Sequence, residues 1–199
     1  MRKMRTLHIV RVFHPLEELG TVTQPFQRLE KLELGVEGAA MRRMQKAEEF
    51  ILMAEKVVQM EVDHKKLFIF MDGFPAEQPE VEKFLYDNFV YKKRFPTYLF
   101  IDRLVRKGAR LVGTESPELL REECQYVQEV TRVVETQELP EGKYAWLKSK
   151  AKDILERRDD FIAARIDSTL KDGDVGILFI GAMHHVEKRL PDDIQIIRL

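Results

Sequence analysis

The chain of 199 residues contains a single cysteine, Cys124. One thiol cannot form an intrachain disulfide, and it cannot build a metal cluster held by several thiolates. Cys124 lies in "LLREECQYVQEV", a pattern typical of a helix, whereas nucleophilic thiols are usually found at turns or helix starts. We therefore interpret Cys124 as a structural side chain.

Long apolar runs are also missing, although hydrophobic residues make up 44% of the chain. No stretch reaches the roughly 18 consecutive apolar residues of a transmembrane helix. The N-terminal apolar run is interrupted by His8 and Arg11, and it is shorter than the apolar part of a signal peptide needs to be. The sequence therefore predicts a cytoplasmic protein with no membrane partner.

Neither sign of charge is in excess, because 33 Lys and Arg residues balance 34 Asp and Glu residues. Broad binding of nucleic acid requires a positive field, so the sequence predicts no nucleic-acid partner. The Gly-x-Ser-x-Gly, Walker A and Gly-x-Gly-x-x-Gly motifs are missing too. For a hydrolase, activation of water is therefore a better prediction than attack by a covalent nucleophile.

Five short segments rich in Ile, Val, Leu and Phe are bounded by turn residues, as buried strands are. Segments with helical periodicity lie between them, and this alternation is typical of α/β proteins. The sequence predicts one α/β domain over residues 1–199, with a mostly parallel sheet of about five strands flanked by long helices. Residues 21–38 are predicted to form an extended loop, which is either a mobile lid or a simple connector. The strand segments are 7–13, 67–73, 109–115, 175–181 and 194–199.

The helical segments carry their own boundary signals. Apolar residues spaced four and three apart predict one helix over residues 38–62. Its stripe of Ala and Met permits a homodimer, although burial against the sheet explains the same pattern more simply. Ser116 is expected to cap the next helix, with Pro117 at its first position. A last long helix is predicted to end at Gly173.

Ionisable residues lie at or just beyond the ends of the first four strand segments. They are His14 and Glu17, then Asp72, then Glu115, then His184. Because ligands of open α/β sheets bind beyond the carboxyl ends of the strands, these residues are candidates for one shared site. Two of the five histidines of the chain are among them. Two members also have plain readings: His14 as a residue that ends a strand, and Asp72 as a turn residue before glycine.

Two arginines lie within the apolar stripe of the helix that precedes the fourth strand. With Leu147 at zero and about 100° per residue, Arg158 and Arg165 fall close to Leu147 on the helical wheel. Arginine is seldom buried unless it is paired. One interpretation is that Arg158 stabilises a developing oxyanion and Arg165 binds substrate. Alternatively, both form structural pairs with carboxylates, or the helix kinks and both face water.

The stretches "RDDFIAARI" and "VGILFIGAMHHVEKRL" resemble the C-terminal signature of the TraB, TIKI, erythromycin-esterase and ChaN-like superfamily. That signature is an Arg-Asp-x-x-Met-Ala helix, then a strand, then Gly-x-x-His. The match covers roughly the last quarter of the chain, with Ile162 in place of Met. In the N-terminal half, Arg11 stands where the family carries Gly ahead of a His or Glu. The matching residues are Arg158, Asp159, Ala163, Gly181 and His184.

The resemblance implies a mostly parallel α/β domain with a cleft at the strand ends. Members of the superfamily include metal-dependent peptidases, esterases that open macrolide rings, and a haem-binding lipoprotein. The resemblance therefore implies one of two functions. The first is a hydrolase of a small or peptide-like substrate, and the second is a non-catalytic domain that binds a small molecule such as a tetrapyrrole or acts in signalling.

Two chemistries fit the candidate residues. His14, His184 and Glu115 suit a divalent metal such as Zn, Mn or Fe, which would acidify a bound water. Alternatively, one histidine acts as a general base on water and is oriented by Glu17 or Glu115. Because neighbouring residues of a helix point about 100° apart, only one residue of the His184–His185 pair can easily face the site. The resemblance favours His184, and His185 is interpreted as a bystander.

Overall fold

The computed structural model describes residues 4–12, 38, 41, 45, 49, 52–57, 59–76, 96–136 and 142–199. Within these residues five strands form one sheet, and every pairing between them is parallel. This confirms the predicted α/β class. The predicted loop lies outside the described residues, apart from its last residue, Gly38. The strands are β1 (Arg5–Val12), β2 (Leu67–Pro75), β3 (Arg110–Glu115), β4 (Val175–Gly181) and β5 (Ile194–Arg198).

Three long helices are described in full: α1 (Pro96–Arg106), α2 (Pro117–Thr136) and α3 (Lys143–Thr169). The expected cap of α2 is present, because Ser116 Oγ accepts a hydrogen bond from the Leu119 amide at 3.4 Å. Residues 38, 41, 45, 49 and 52–57 are helical as well. Among the described residues, no helix combines the length and the apolar character that crossing a bilayer requires.

Two predicted helix ends were wrong. The first helix does not continue to residue 62, because residues 60–63 are not helical. Here the chain turns into β2, and Asp63 caps a short 3₁₀ turn by accepting from the Lys65 amide at 3.0 Å. The end of α3 at Thr169 precedes Gly173 because Leu170 adopts an extended conformation and is almost fully buried. Tertiary burial of one leucine thus ends this helix before the glycine does.

The sheet lies between two helical layers. On one face, residues 53 and 57 and helix α1 pack on Ile69 and Phe179. On the other face, Ile162 and Ile166 of α3 pack on Phe70 and Leu178. A parallel sheet covered on both faces produces nearly continuous apolar strands, which is why the strand segments were visible in the sequence.

The strand order is β3-β2-β4-β1-β5. The chain moves along the sheet from β1 through β2 to β3, and then reverses toward β4 and β5. Since such connections are right-handed, the reversal places the helices that follow β2 and β3 on opposite faces. Doubly wound sheets open a ligand-binding crevice at such a reversal, beyond the carboxyl ends of the strands. In this chain that rule points to the carboxyl ends of β3, β2 and β4.

Candidate functional site

The ends of β3, β2 and β4 bring three predicted residues together. Since β2 lies between its two neighbours, Asp72 lies between Glu115 of β3 and His184, which follows β4. All three side chains are buried, and the exposed fraction of Glu115 is 0%. The structure thus brings three of the predicted strand-end residues together.

An irregularity in β2 aims Asp72 at this cluster. The pairing of β2 with β3 shifts from Met71 opposite Gly113 to Pro75 opposite Glu115, so β2 carries extra residues over this interval. Bulges of this kind re-aim side chains, and here the bulge contains Asp72. Strands β2 and β3 approach so closely here that a Cβ on Gly113 would lie 2.0 Å from the Pro75 carbonyl oxygen. Glycine is therefore required at position 113 for this approach.

Arg158 of α3 binds carboxylates from three other elements. Its Nη2 donates to Asp72 Oδ1 and to Glu115 Oε1, both at 2.7 Å, and its Nε donates to Glu115 Oε2 at 3.2 Å. Its Nη1 donates to Glu123 of α2. Arg158 is only 5% exposed, so its predicted inward orientation is confirmed. Of the two roles considered for this residue, the pairing with carboxylates is the one observed.

The carboxyl group of Glu115 is strongly perturbed by these surroundings. Burial, opposed by Arg158 and reinforced by the neighbouring carboxylate of Asp72, raises the pKa of Glu115 to about 7. Two carboxyl groups that share one cation cannot both ionise easily when they are shielded from water. The pair of Asp72 and Glu115 can therefore hold a proton near neutral pH.

His184 is held between two carboxylates. Its Nδ1 lies 2.5 Å from Asp159 Oδ1, and its Nε2 lies 3.4 Å from Asp72 Oδ2. The second oxygen of Asp159 accepts from the backbone N–H of His185 at 2.8 Å. Although burial opposes ionisation, the hydrogen bonds from His184 and His185 lower the pKa of Asp159. An ionised Asp159 can only accept, so it binds the Nδ1–H of His184, while Nε2 faces the carboxylate of Asp72.

Two members of this cluster were missed as site residues. Asp159 was noted in the resemblance but was given no role. Its position three and seven residues before Ile162 and Ile166 places it on the buried stripe of α3, and this signal would have found it. Glu123 of α2 carries no comparable local signal, because its partner Arg158 lies 35 residues further along the chain.

Gly181 allows Asp72 and His184 to approach each other. Its N–H donates to Asp72 Oδ2 at 3.1 Å. A Cβ at this position would lie 3.2 Å from that same oxygen and 3.6 Å from His184 Cδ2. The glycine of the Gly-x-x-His pattern thus has a steric reason here.

We expect Gly181→Ala to lower the free energy of unfolding by about 1 kcal/mol, the lower end of the cost of overpacking. The cause is that Asp72 is already held by Arg158 and cannot easily move away from the new methyl group. Urea unfolding of this variant measures the effect, and Ala182→Ser, an exposed change in the same turn, is the control. A variant at least as stable as the wild type would mean that Asp72 moves freely.

Three further residues were predicted for the site: His14, Glu17 and Arg165. His14 and Glu17 are outside the described residues. Arg165 is half-buried, and its Nε donates to the Gly113 carbonyl oxygen at 3.3 Å. His185, the residue after His184, is exposed, whereas His184 is buried. This contrast agrees with the choice of His184 as the residue that faces the site.

The described part of the chain contains no group of three or more His, Cys, Asp and Glu side chains arranged to hold a metal ion. Glu115 binds Arg158 through both oxygens, and both ring nitrogens of His184 face carboxylates. The described residues therefore do not provide the set of ligands that was predicted for a metal, namely His14, His184 and Glu115. The metal stays a prediction because His14 lies outside the described residues.

Comparison with protein-family models, with curated proteins and with solved structures found no match to this chain. The resemblance of the C-terminal motifs to the TraB, TIKI, erythromycin-esterase and ChaN-like superfamily therefore stays a prediction from the sequence. The functional interpretation consequently rests on the geometry around His184.

Proposed function

We propose that the protein is a hydrolase that activates water at His184 and cleaves a small or peptide-like substrate. The observation that carries this proposal is the buried contact of 2.5 Å between His184 Nδ1 and Asp159 Oδ1. A histidine oriented by a carboxylate is a common general base, since the carboxylate selects the tautomer and stabilises the imidazolium. The position of the pair at the carboxyl edge of a parallel sheet supports the same conclusion.

In the proposed reaction, Nε2 of His184 takes a proton from a water molecule as the water oxygen bonds to the carbonyl carbon of an ester or amide. Asp159 holds Nδ1–H, and Asp72, at 3.4 Å from Nε2, stabilises the positive charge that develops on the ring. The imidazolium then returns the proton to the leaving alkoxide or amine as the bond to that group breaks. The reaction consumes one water and leaves His184 neutral.

Arg158 has a positioning role in this proposal. Its guanidinium already binds three carboxylates. This favours a role in which Arg158 aligns Asp72 over a role in which it binds a substrate anion. The interpretation of Arg158 as an oxyanion-stabilising group is therefore replaced by one in which it acts through Asp72.

The experiment is a screen of the purified protein against activated esters and peptides, repeated on His184→Gln. General acid–base catalysis contributes about 10²–10⁴-fold, so we expect kcat to fall by at least about 100-fold. His185→Gln is the matched control, because it changes the neighbouring, exposed histidine and leaves Asp159 bound to the ring of His184.

Three outcomes contradict the proposal. One is turnover that His184→Gln does not change, and another is an equal loss in both variants. The third is a lack of hydrolysis combined with a new Soret band on titration with haem. That result would favour the alternative prediction, a domain that binds tetrapyrroles without catalysis.

A further inference from the structure

Arg11 of β1 contacts the backbone of the turn that carries His184. Its Nη1 donates to the carbonyl oxygens of Gly181 at 3.2 Å and of His184 at 2.7 Å. Its Nη2 donates to both carboxylate oxygens of Glu187, at 2.8 and 2.9 Å. One guanidinium therefore binds the first and the last residue of this turn and anchors itself on the 3₁₀ turn that follows.

These bonds complement those that α3 makes with the same turn. The turn closes on itself, because the His184 N–H donates to the Gly181 carbonyl oxygen at 3.2 Å. Asp159 holds the ring of His184 and the next backbone N–H from α3. Arg11 holds the carbonyl oxygens of the same turn from β1. The backbone and the ring of His184 are thus fixed by separate elements.

The anchor of Arg11 is itself well defined. The side chain of Glu187 is only 13% exposed, and that of Arg11 is 30% exposed. Although burial opposes its charge, a backbone hydrogen bond and the neighbouring Arg11 lower the pKa of Glu187. Glu187 is also approached by Arg198, but that side chain is 72% exposed and lies 3.6 Å away.

We propose that Arg11 is a positioning residue for His184. By holding the backbone carbonyl groups of Gly181 and His184, it sets the distance between the imidazole ring and Asp159. The catalytic meaning of this role rests on the proposed function, but the placement of the ring does not. Lysine cannot replace Arg11, because a single ammonium group cannot reach two carbonyl oxygens and both oxygens of Glu187 in the geometry of the guanidinium fork.

The test uses nuclear magnetic resonance of the histidine rings in ¹⁵N-labelled protein, with the His184 signals assigned from their loss in His184→Gln. In the wild type we expect Nδ1 of His184 to be protonated, with a strongly deshielded proton from its short bond to Asp159. In Arg11→Gln and Arg11→Lys we expect this proton signal to shift or to broaden by exchange. Arg198→Gln, which removes the other arginine near Glu187, is the matched control and should leave the signal unchanged.

Kinetics give a second readout. If the protein hydrolyses a substrate, Arg11→Lys should lower kcat by up to about 100-fold, the cost of a small misplacement of a catalytic group, with little change in KM. If the protein shows no hydrolysis and binds haem with a new Soret band, but the His184 signal still shifts in the Arg11 variants, the proposed function fails and the positioning role stands.

The proposal on Arg11 is overturned if folded Arg11→Gln and Arg11→Lys both keep the wild-type His184 signal. Should these variants not fold, Glu187→Gln provides the same test with a milder change. It keeps Arg11 but weakens its anchor, and it is expected to shift the His184 signal in the same direction. An unchanged signal in Glu187→Gln would then overturn the proposal.

Discussion

Replacing Arg158 with methionine is expected to lower the free energy of unfolding by about 3–5 kcal/mol, the cost of removing one partner from a buried ion pair. The guanidinium is 5% exposed and is shared by Asp72 and Glu115, which are themselves buried. Without it, two carboxyl groups remain at the sheet edge with no cation between them. Methionine has a similar length, so the loss reports on the charges more than on packing.

Arg157→Met is the matched control for this change. Arg157 is the preceding residue on the same helix, and it forms ion pairs with Glu122 and Asp153 at the surface. Surface pairs contribute about 0–1 kcal/mol, so its loss should be small. Urea unfolding at pH 7 compares the two variants. Equal losses would show that the buried network contributes no more than a surface pair.

A double variant separates charge from other effects. Adding Glu115→Gln to Arg158→Met removes one of the two carboxyl groups left without a cation, so part of the lost stability should return. This non-additivity is expected because the two residues are in direct contact. Additive losses would contradict the interpretation that charge is the cause.

The second large effect concerns pH. Since the pKa of Glu115 rises from 4.5 to about 7 on folding, the folded chain holds this proton more tightly than the unfolded chain. The resulting stability is complete below pH 4.5 and is lost as the pH rises from 4.5 to about 7. At 1.36 kcal/mol per pKa unit, the loss is about 3 kcal/mol.

Glu115→Gln isolates this contribution, because glutamine cannot titrate. The free energy of unfolding of the wild type minus that of the variant should fall by about 3 kcal/mol between pH 4.5 and 7.5, and should then stay level. Urea unfolding across this range measures the difference, and Glu122→Gln at the surface is the control. A difference that rises with pH would mean that Arg158 dominates over burial and lowers the pKa of Glu115.

Local sequence patterns were sufficient for the strands and for much of the helical content. Parallel strands buried on both faces must be apolar throughout, so each appears as a short run of Ile, Val, Leu and Phe. The same logic selected Asp72, Glu115 and His184, since each lies at or near the end of such a run. The helical wheel of α3 likewise predicted that Arg158 points inward, because helical periodicity is a local property. These predictions needed no knowledge of which elements are neighbours.

The partners of those residues depended on the strand order. Arg158 is 86 residues from Asp72 and 43 from Glu115 in the chain, and the helix alone does not indicate which carboxylates it reaches. The contact of Asp159 with His184 depends on the turn after β4 folding back onto α3. Arg11 was interpreted only as a departure from a motif, whereas the pairing of β1 with β4 makes it a ligand of the His184 turn.

The sequence by itself thus determined the α/β class, the strand positions and four residues of the cluster, because hydrophobic periodicity and strand ends are local properties of the sequence. Only the tertiary structure decided that Asp72 lies between Glu115 and His184, that Arg158 is saturated by carboxylates, and that Asp159 orients the imidazole. The reason is physical: charges buried at the edge of a sheet are stable only when they are paired, and the reversal of strand order selects which charges meet.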